Sequence, residues 1–390
     1  MEKEESSHFT DADSGKSKYD AIKAAVQAQE EAEAIKQAEE KKKKAKKSTK
    51  KKSGKKKKKR RKRRTLGQRI AGLFPQQGDS FFEVIRKMVF LFSSTVFMVC
   101  ICLIGKYFWE NYQNQETYDI VRRVYYESPK DEQPKEDGYE YYELLDSAKA
   151  LLGINNDTVG FINVVNEPKI SYPVVQRKNE IDGNEYYLDK DFNRNPARAG
   201  AIFMDYRNYF DYIINGIRQL DNSQNLIIYG HNMHDYSMFG ALKYYTNYEN
   251  YYDEHPIIEL NSNYMTYQYK VFGMIIVDVE DDTETRFDYW NTLNFKDETE
   301  FYNYVNEIKR RTVRLTNVDV KYGDQLLTLS TCNSTFSDGR LVVFARLLRE
   351  GEELYAGCTS TANPNIKWPN SYYKWHKNTY DPDAEFIPYG

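Results

Sequence analysis

Leu326-Leu327-Thr328-Leu329-Ser330-Thr331-Cys332, Asn333-Ser334-Thr335-Phe336-Ser337-Asp338-Gly339 and Arg340-Leu341-Val342-Val343-Phe344 form the stretch on which the reading of this chain turns. Two apolar runs flank a short polar link ending in Asp-Gly, which is the pattern of strand, loop and strand. A cysteine closes the first run and an arginine opens the second. If the two strands pair, a thiol and a permanent cation meet at one end of the sheet. Ser330, two residues before Cys332, shares its face of the strand, because side chains alternate with period two.

Working outward, the charge distribution divides the chain. Its net charge of -2 conceals 28 Lys/Arg against 13 Asp/Glu in residues 1–106, and 28 against 45 in residues 107–390. With 390 residues there is room for one or two domains. Four cysteines do not make a disulfide framework. Cys100 and Cys102 sit in an apolar run, so only Cys332 and Cys358 could bridge, and a reactive thiol or an inert core residue explains a sparse cysteine better.

Met88 to Gly105 is 18 residues without a charge, preceded by Arg86-Lys87 and followed by Lys106-Tyr107-Phe108-Trp109. That length reaches the lower end of the roughly 17–25 residues that span a bilayer. The aromatic cluster suits the membrane–water interface, and the basic flank puts the N-terminus on the cytoplasmic side. A cleaved signal peptide fits less well, because no small-x-small site follows the run and the leading segment is too long. Lys41 to Arg64 carries 19 basic residues in 24. An anionic membrane face, nucleic acid, or bulk water could each receive such a run. The neighbouring apolar segment favours the membrane, and the lack of interleaved aromatics argues against nucleic acid. The expected organisation is a polar and polybasic cytoplasmic tail over 1–87, largely disordered, a transmembrane anchor over 88–105, a helical lead-in over 106–155 and a catalytic domain over 156–390.

In the lead-in, Tyr118, Val121, Val124 and Tyr125 form one helical stripe, and Tyr141, Leu144, Leu145, Ala148 and Leu151 another. From Val159 the period changes. Strands are expected over 159–164, 172–176, 201–204, 225–229, 257–260, 267–279, 325–331 and 341–348, with a turn at Asn166-Glu167-Pro168-Lys169. So many short, evenly punctuated strands point to a closed or nearly closed β structure. One helix interrupts them: Asp297 can cap, Glu300 sits three residues on, and Phe301, Tyr304, Val305 and Ile308 make its apolar stripe.

A cysteine nucleophile needs a partner that takes its proton or favours its thiolate. Beyond the apolar run there are four histidines, His231, His234, His255 and His376. His231 follows the strand Asn225 to Tyr229 and Gly230, so it stands at a strand end as Cys332 does. His234 lies in a loop beside Asp235, His255 precedes Pro256, and His376 is in the Trp-containing tail. Spacing favours His231 without excluding the others. Arg340 stays charged at any working pH and can stabilise negative charge developing on an acyl oxygen.

Leu327-Thr328-Leu329-Ser330-Thr331-Cys332 resembles the TLxTC motif of sortases, the cell-wall transpeptidases of Gram-positive bacteria. Tyr229-Gly230-His231-Asn232-Met233 resembles the histidine motif of that family, and Arg340 stands where its arginine is expected. Tyr187-Leu188, Asp191-Phe192-Asn193, the run Ala199 to Asn208 and Met238-Phe239-Gly240 resemble class B. The likeness covers roughly residues 110–350. It implies an eight-stranded sortase β-barrel with N-terminal helices and a helix between the sixth and seventh strands. It further implies a catalytic set of Cys332, His231 and Arg340, with substrate contacts at Ser330 and Thr331, and neither cofactor nor metal. The implied partners are surface proteins bearing a C-terminal sorting motif and an amine of peptidoglycan or its lipid-linked precursor, met at the outer face of the cell membrane. Two features depart from the pattern. Ser334 stands where some class B enzymes have an acidic residue, and the basic N-terminal extension is unusual. A hydrolysing cell-wall cysteine peptidase and a non-catalytic surface-binding module are the competing readings. The first commonly sets its cysteine at a helix start, and the second requires a buried, unreactive Cys332.

Overall fold

The apolar runs resolve into twelve strands among the described residues: β1 (Thr158–Val164), β2 (Glu167–Val175), β3 (Ile202–Met204), β4 (Tyr212–Ile214), β5 (Ile217–Leu220), β6 (Asn225–Tyr229), β7 (Ile257–Ser262), β8 (Gln268–Asp278), β9 (Arg314–Thr316), β10 (Leu326–Asn333), β11 (Gly339–Leu347) and β12 (Ser360–Ala362). Eight of them close into a barrel in the order β1-β2-β3-β6-β10-β11-β8-β7. The computed structural model describes residues 67, 71–128, 141–180, 183–281, 283, 286–336 and 338–390. Of the expected tail over residues 1–87, residues 1–66 and 68–70 lie outside them. The chain divides into two compact units, Met1–Ser93 and Ser94–Gly390, and the barrel belongs to the second.

The wall that carries Cys332 is buried on both faces. Leu327 and Leu329 of β10, with Leu341, Val343 and Ala345 of β11, fill the barrel interior. Leu326, Val342 and Phe344 point the other way and are covered by α3 (Glu298–Arg311), through Phe301, Val305 and Ile308. A strand covered on both sides reads as a continuous apolar run rather than an alternation, which is why residues 326–332 and 341–348 look alike in sequence. α3 lies between the sixth and seventh barrel strands, as expected. Asp297 accepts from the Glu300 N–H at 2.9 Å, which satisfies one of the orphan donors of the first turn, and the Glu300 carboxylate reaches back to accept from Lys296 N–H at 2.7 Å. Each buried apolar side chain of its stripe contributes roughly 2 kcal/mol by leaving water.

The lead-in differs from the expectation in continuity. The apolar run and the first stripe are one helix, α1 (Phe81–Glu127, 47 residues), because no Gly or Pro occurs between Lys106 and Glu127 to end it. Its start is capped by Ser80, whose Oγ accepts from Glu83 N–H at 3.3 Å. Among the described residues, α1 is the one helix long and apolar enough to cross a membrane. Further along, Tyr118 and Val121 are buried, and Tyr125 stacks on Phe161 of β1 with ring centroids 3.7 Å apart. The second stripe begins later than its pattern: α2 spans Asp146–Ile154 and buries Ala148 and Leu151, while Tyr141 precedes it, exposed.

The turn before β2 is also tighter than expected. It is Val165-Asn166, with Asn166 at φ 69°, and β2 starts at Glu167, so Pro168 lies inside the strand beside a register shift at Asn163/Val164. Outside the barrel, β4 and β5 form a hairpin and β9 pairs with β12. A last helix, α4, spans Asn370–His376.

Candidate active site

β10 and β11 are antiparallel, and Cys332 stands directly opposite Arg340. Opposed residues share a face with Cβ atoms about 5 Å apart, so the thiol and the guanidinium are neighbours by register alone. The link between the strands turns at Gly339, where a Cβ would lie 2.6 Å from the Asn333 carbonyl oxygen. Cys332 is exposed. Arg340 is partly buried; its Nη1 donates to Asp338 Oδ1 at 2.6 Å and to the Gly339 carbonyl at 3.1 Å. Burial works against its charge, but the Asp338 carboxylate and negative charge at Cys332 hold its pKa above the ordinary guanidinium value.

The third candidate arrives from the other side. β6 runs parallel to β10, with Tyr229 level with Ser330, and the Gly230 N–H donates to the Ser330 carbonyl at 3.2 Å. Continuing that register by two residues brings His231 level with Cys332, and Asn232 Nδ2 donates to the Cys332 carbonyl at 2.8 Å. Glycine is required at 230, where a Cβ would meet Ile202 Cδ1 at 2.4 Å and the Phe239 ring at 2.9 Å. The loop after His231 is closed by a bridge between Asn232 and Met238 and by Phe239 N–H donating to the His231 carbonyl at 3.0 Å. His231 Nε2 lies 2.7 Å from the Leu188 carbonyl. A carbonyl can only accept, so in this geometry Nε2 is the donating nitrogen of the ring.

The other histidines are held elsewhere. His255 is buried, stacks on Tyr251 at 4.1 Å and has Nδ1 2.9 Å from the Tyr251 carbonyl. His376 stacks on Tyr372 of α4 at 4.0 Å. His234 is exposed in the loop beyond His231. Cys358 is a free, buried thiol whose pKa is pushed up by burial, and Cys332 is free as well, so no bridge joins them.

Ser330 and Thr331 point in opposite directions. Ser330 is on the Cys332 face but 3% exposed, with its Oγ 2.6 Å from the Tyr289 hydroxyl. Thr331 is buried on the interior face, where its hydroxyl has no hydrogen-bond partner. Tyr289 itself was not legible in the sequence. It sits in a short 3-10 turn over Tyr289–Asn291, between β8 and α3, in a segment without period. Burial pushes its phenol up to about 12; the charge of Arg340 pulls it down and that of Cys332 pushes it up, so its hydroxyl lies in the field of both.

A family model for the sortase domain matches residues 169–348. Sortase B of Listeria monocytogenes is 32% identical over 247 residues, which is 63% of this chain and 89% of that protein. Sortase B of Staphylococcus aureus is 34% identical over 204 residues, 52% of this chain and 74% of that protein. A crystal structure of sortase B from B. anthracis in complex with AAEK1 covers 62% of this chain and all of its own, at 31% identity and a TM-score of 0.50. The chain belongs to the sortase family of cysteine transpeptidases, and within that family to class B.

Proposed function

We propose that this protein is a membrane-anchored sortase that cleaves a C-terminal sorting motif after a threonine and transfers the carboxyl end to an amine of peptidoglycan or its lipid-linked precursor. The observation that carries the reading is the register: Cys332 opposite Arg340 on β10 and β11, with His231 delivered level with them from β6. The Cys332 thiolate attacks the threonine carbonyl carbon. Negative charge moves onto the carbonyl oxygen, and Arg340 stabilises it through donors not engaged by Asp338. Collapse breaks the C–N bond, His231 gives its proton to the leaving amine, and a thioester remains on Cys332. The acceptor amine loses a proton to His231, attacks the thioester and frees the thiolate. Ser330 and Tyr289 support this floor from below; Ser330 acts through the strand and Tyr289, not by open contact.

The apolar run of α1 and the basic residues before it support a single-pass anchor with its N-terminus inside and residues 156–390 outside. Screening a library of pentapeptides with internal threonine, with and without an added amine, tests the chemistry. Transfer product should replace hydrolysis product as amine is added. Hydrolysis indifferent to the amine would establish the peptidase reading instead. Retention of cleavage in Cys332→Ala would remove the thiol from the chemistry, and no cleavage by the wild type, with its Cys332 resistant to alkylation in the folded protein, would leave only a binding module.

A further inference from the structure

We propose that Tyr118 of α1 is a positioning residue for His231, holding the carbonyl-bonded orientation of the imidazole through two separate arms. The ring of Tyr118 is 1% exposed, and its hydroxyl donates to the Gly200 carbonyl at 3.0 Å. Gly200 adopts φ +59° and is wedged under the histidine: a Cβ there would lie 2.7 Å from the Leu188 oxygen, 2.8 Å from the Tyr187 oxygen and 3.1 Å from His231 Cδ2. Ala201 N–H donates to the Tyr187 carbonyl at 3.0 Å, which fixes the strand of chain that presents Leu188. The first arm therefore runs from the Tyr118 hydroxyl through Gly200 to the Leu188 oxygen that receives His231 Nε2.

The second arm uses the ring. Tyr118 packs edge-on against Tyr172 of β2, centroids 5.1 Å apart, and the Tyr172 hydroxyl accepts from Met238 N–H at 2.9 Å. Met238 bridges to Asn232, and the neighbouring Phe239 N–H bonds the His231 carbonyl. Both the partner of the ring and the backbone of the residue are thus referred to one side chain of α1. Other residues on the same face of the helix contact the same loops. Gln115 Nε2 donates to Asp235 Oδ2 at 3.3 Å, and Arg198 lies over the Tyr107 ring at 5.2 Å. A buried carbonyl left without its donor is costly and relaxes by moving, and here it belongs to Gly200, which packs against both His231 and the Leu188 carbonyl that receives its Nε2.

The consequence for turnover rests on the proposed role of His231, but the orientation itself does not, so the test reads both. Full-length chain in phospholipid nanodiscs, labelled with 15N-histidine and assigned through His231→Gln, is compared with Tyr118→Phe, which keeps the ring and loses the hydroxyl. Tyr125→Phe is the control: its hydroxyl, also on α1, accepts from Asn261 Nδ2 at 2.8 Å and serves β7, not the histidine loops. In Tyr118→Phe the His231 Nε2 and Nδ1 resonances should move toward each other as the fixed tautomer is lost. With the sorting peptide, kcat should fall about tenfold with KM unchanged. Tyr125→Phe should alter neither. A His231 spectrum in Tyr118→Phe that superimposes on the wild type, or an equal shift in Tyr125→Phe, overturns the proposal. If the wild type transfers no peptide, the transpeptidase reading falls while the imidazole resonances still decide the positioning claim.

Discussion

Two arginines stand on the same face of β11, six residues apart, in opposite circumstances. Arg346 is 1% exposed; it holds Glu352 through both terminal nitrogens at 2.6 and 2.5 Å, the Asp319 carbonyl through Nε at 2.8 Å and the Leu347 carbonyl at 3.1 Å. Lys270, fully buried, shares the same Glu352 at 2.7 Å. Arg340 is partly exposed, and its hydrogen bonds among the described residues leave Nε and Nη2 without an acceptor. One guanidinium has its donors consumed by the fold, and the other leaves part of its fork uncommitted among the described residues. Proximity to an apolar core is therefore a poor guide to an arginine's task, and the state of its donors a good one.

Removing Arg346 should have the largest effect. Arg346→Met leaves a buried network short of a charge and should cost about 3–5 kcal/mol of stability, read as a fall in denaturation midpoint, while transfer per folded molecule stays near normal. The cost depends on pH in a fixed direction. Glu352 is held at about 2, below the ordinary 4.5, by Arg346 and Lys270. A carboxylate with a lowered folded pKa stabilises fully above its unfolded value, and that stabilisation is lost as pH falls through the folded one. The gap between wild type and Arg346→Met should narrow as pH drops from 4.5 toward 2; a gap that widens there contradicts the pairing.

Arg340→Lys should show the reverse pattern. A point charge cannot reproduce the fork, and loss of oxyanion stabilisation costs about 10²–10³ in kcat, with the melting temperature unmoved. Near-normal turnover would remove Arg340 from the mechanism. Tyr289→Phe should be milder, lowering stability by about 1 kcal/mol through the lost hydrogen bond to Ser330. Its check is chemical denaturation beside a rate measurement. An unchanged midpoint would mean that the Tyr289–Ser330 bond is not holding the floor of the site.

The strand pair around Cys332 was readable because burial on both faces makes β10 and β11 unmistakable runs, and because a cysteine and an arginine at their facing ends are rare residue types in a meaningful place. The cap of α3 was readable for a similar reason, since Asp297 and Glu300 satisfy backbone donors by local spacing. What escaped depends on distant partners or on missing breakers. β4 and β5 leave Tyr212, Ile214, Ile217 and Leu220 exposed on one face, so no buried period announces them. The union of two helical patterns into α1 is a statement about the absence of Gly and Pro, which a pattern search does not score. Tyr289 and the Leu188 carbonyl enter the site from irregular segments, where only tertiary structure puts them beside Ser330 and His231.

The proposed function makes Cys332 an acyl carrier, and intact-protein mass spectrometry tests that most directly. Full-length chain is quenched in acid after brief exposure to the pentapeptide selected from the library. The expected result is one adduct equal in mass to the peptide up to and including its threonine. It should localise to Cys332, disappear when an amine is added before the quench, and be absent in Cys332→Ala. Product formation with no such adduct at any time, or an adduct that survives the amine, would contradict it.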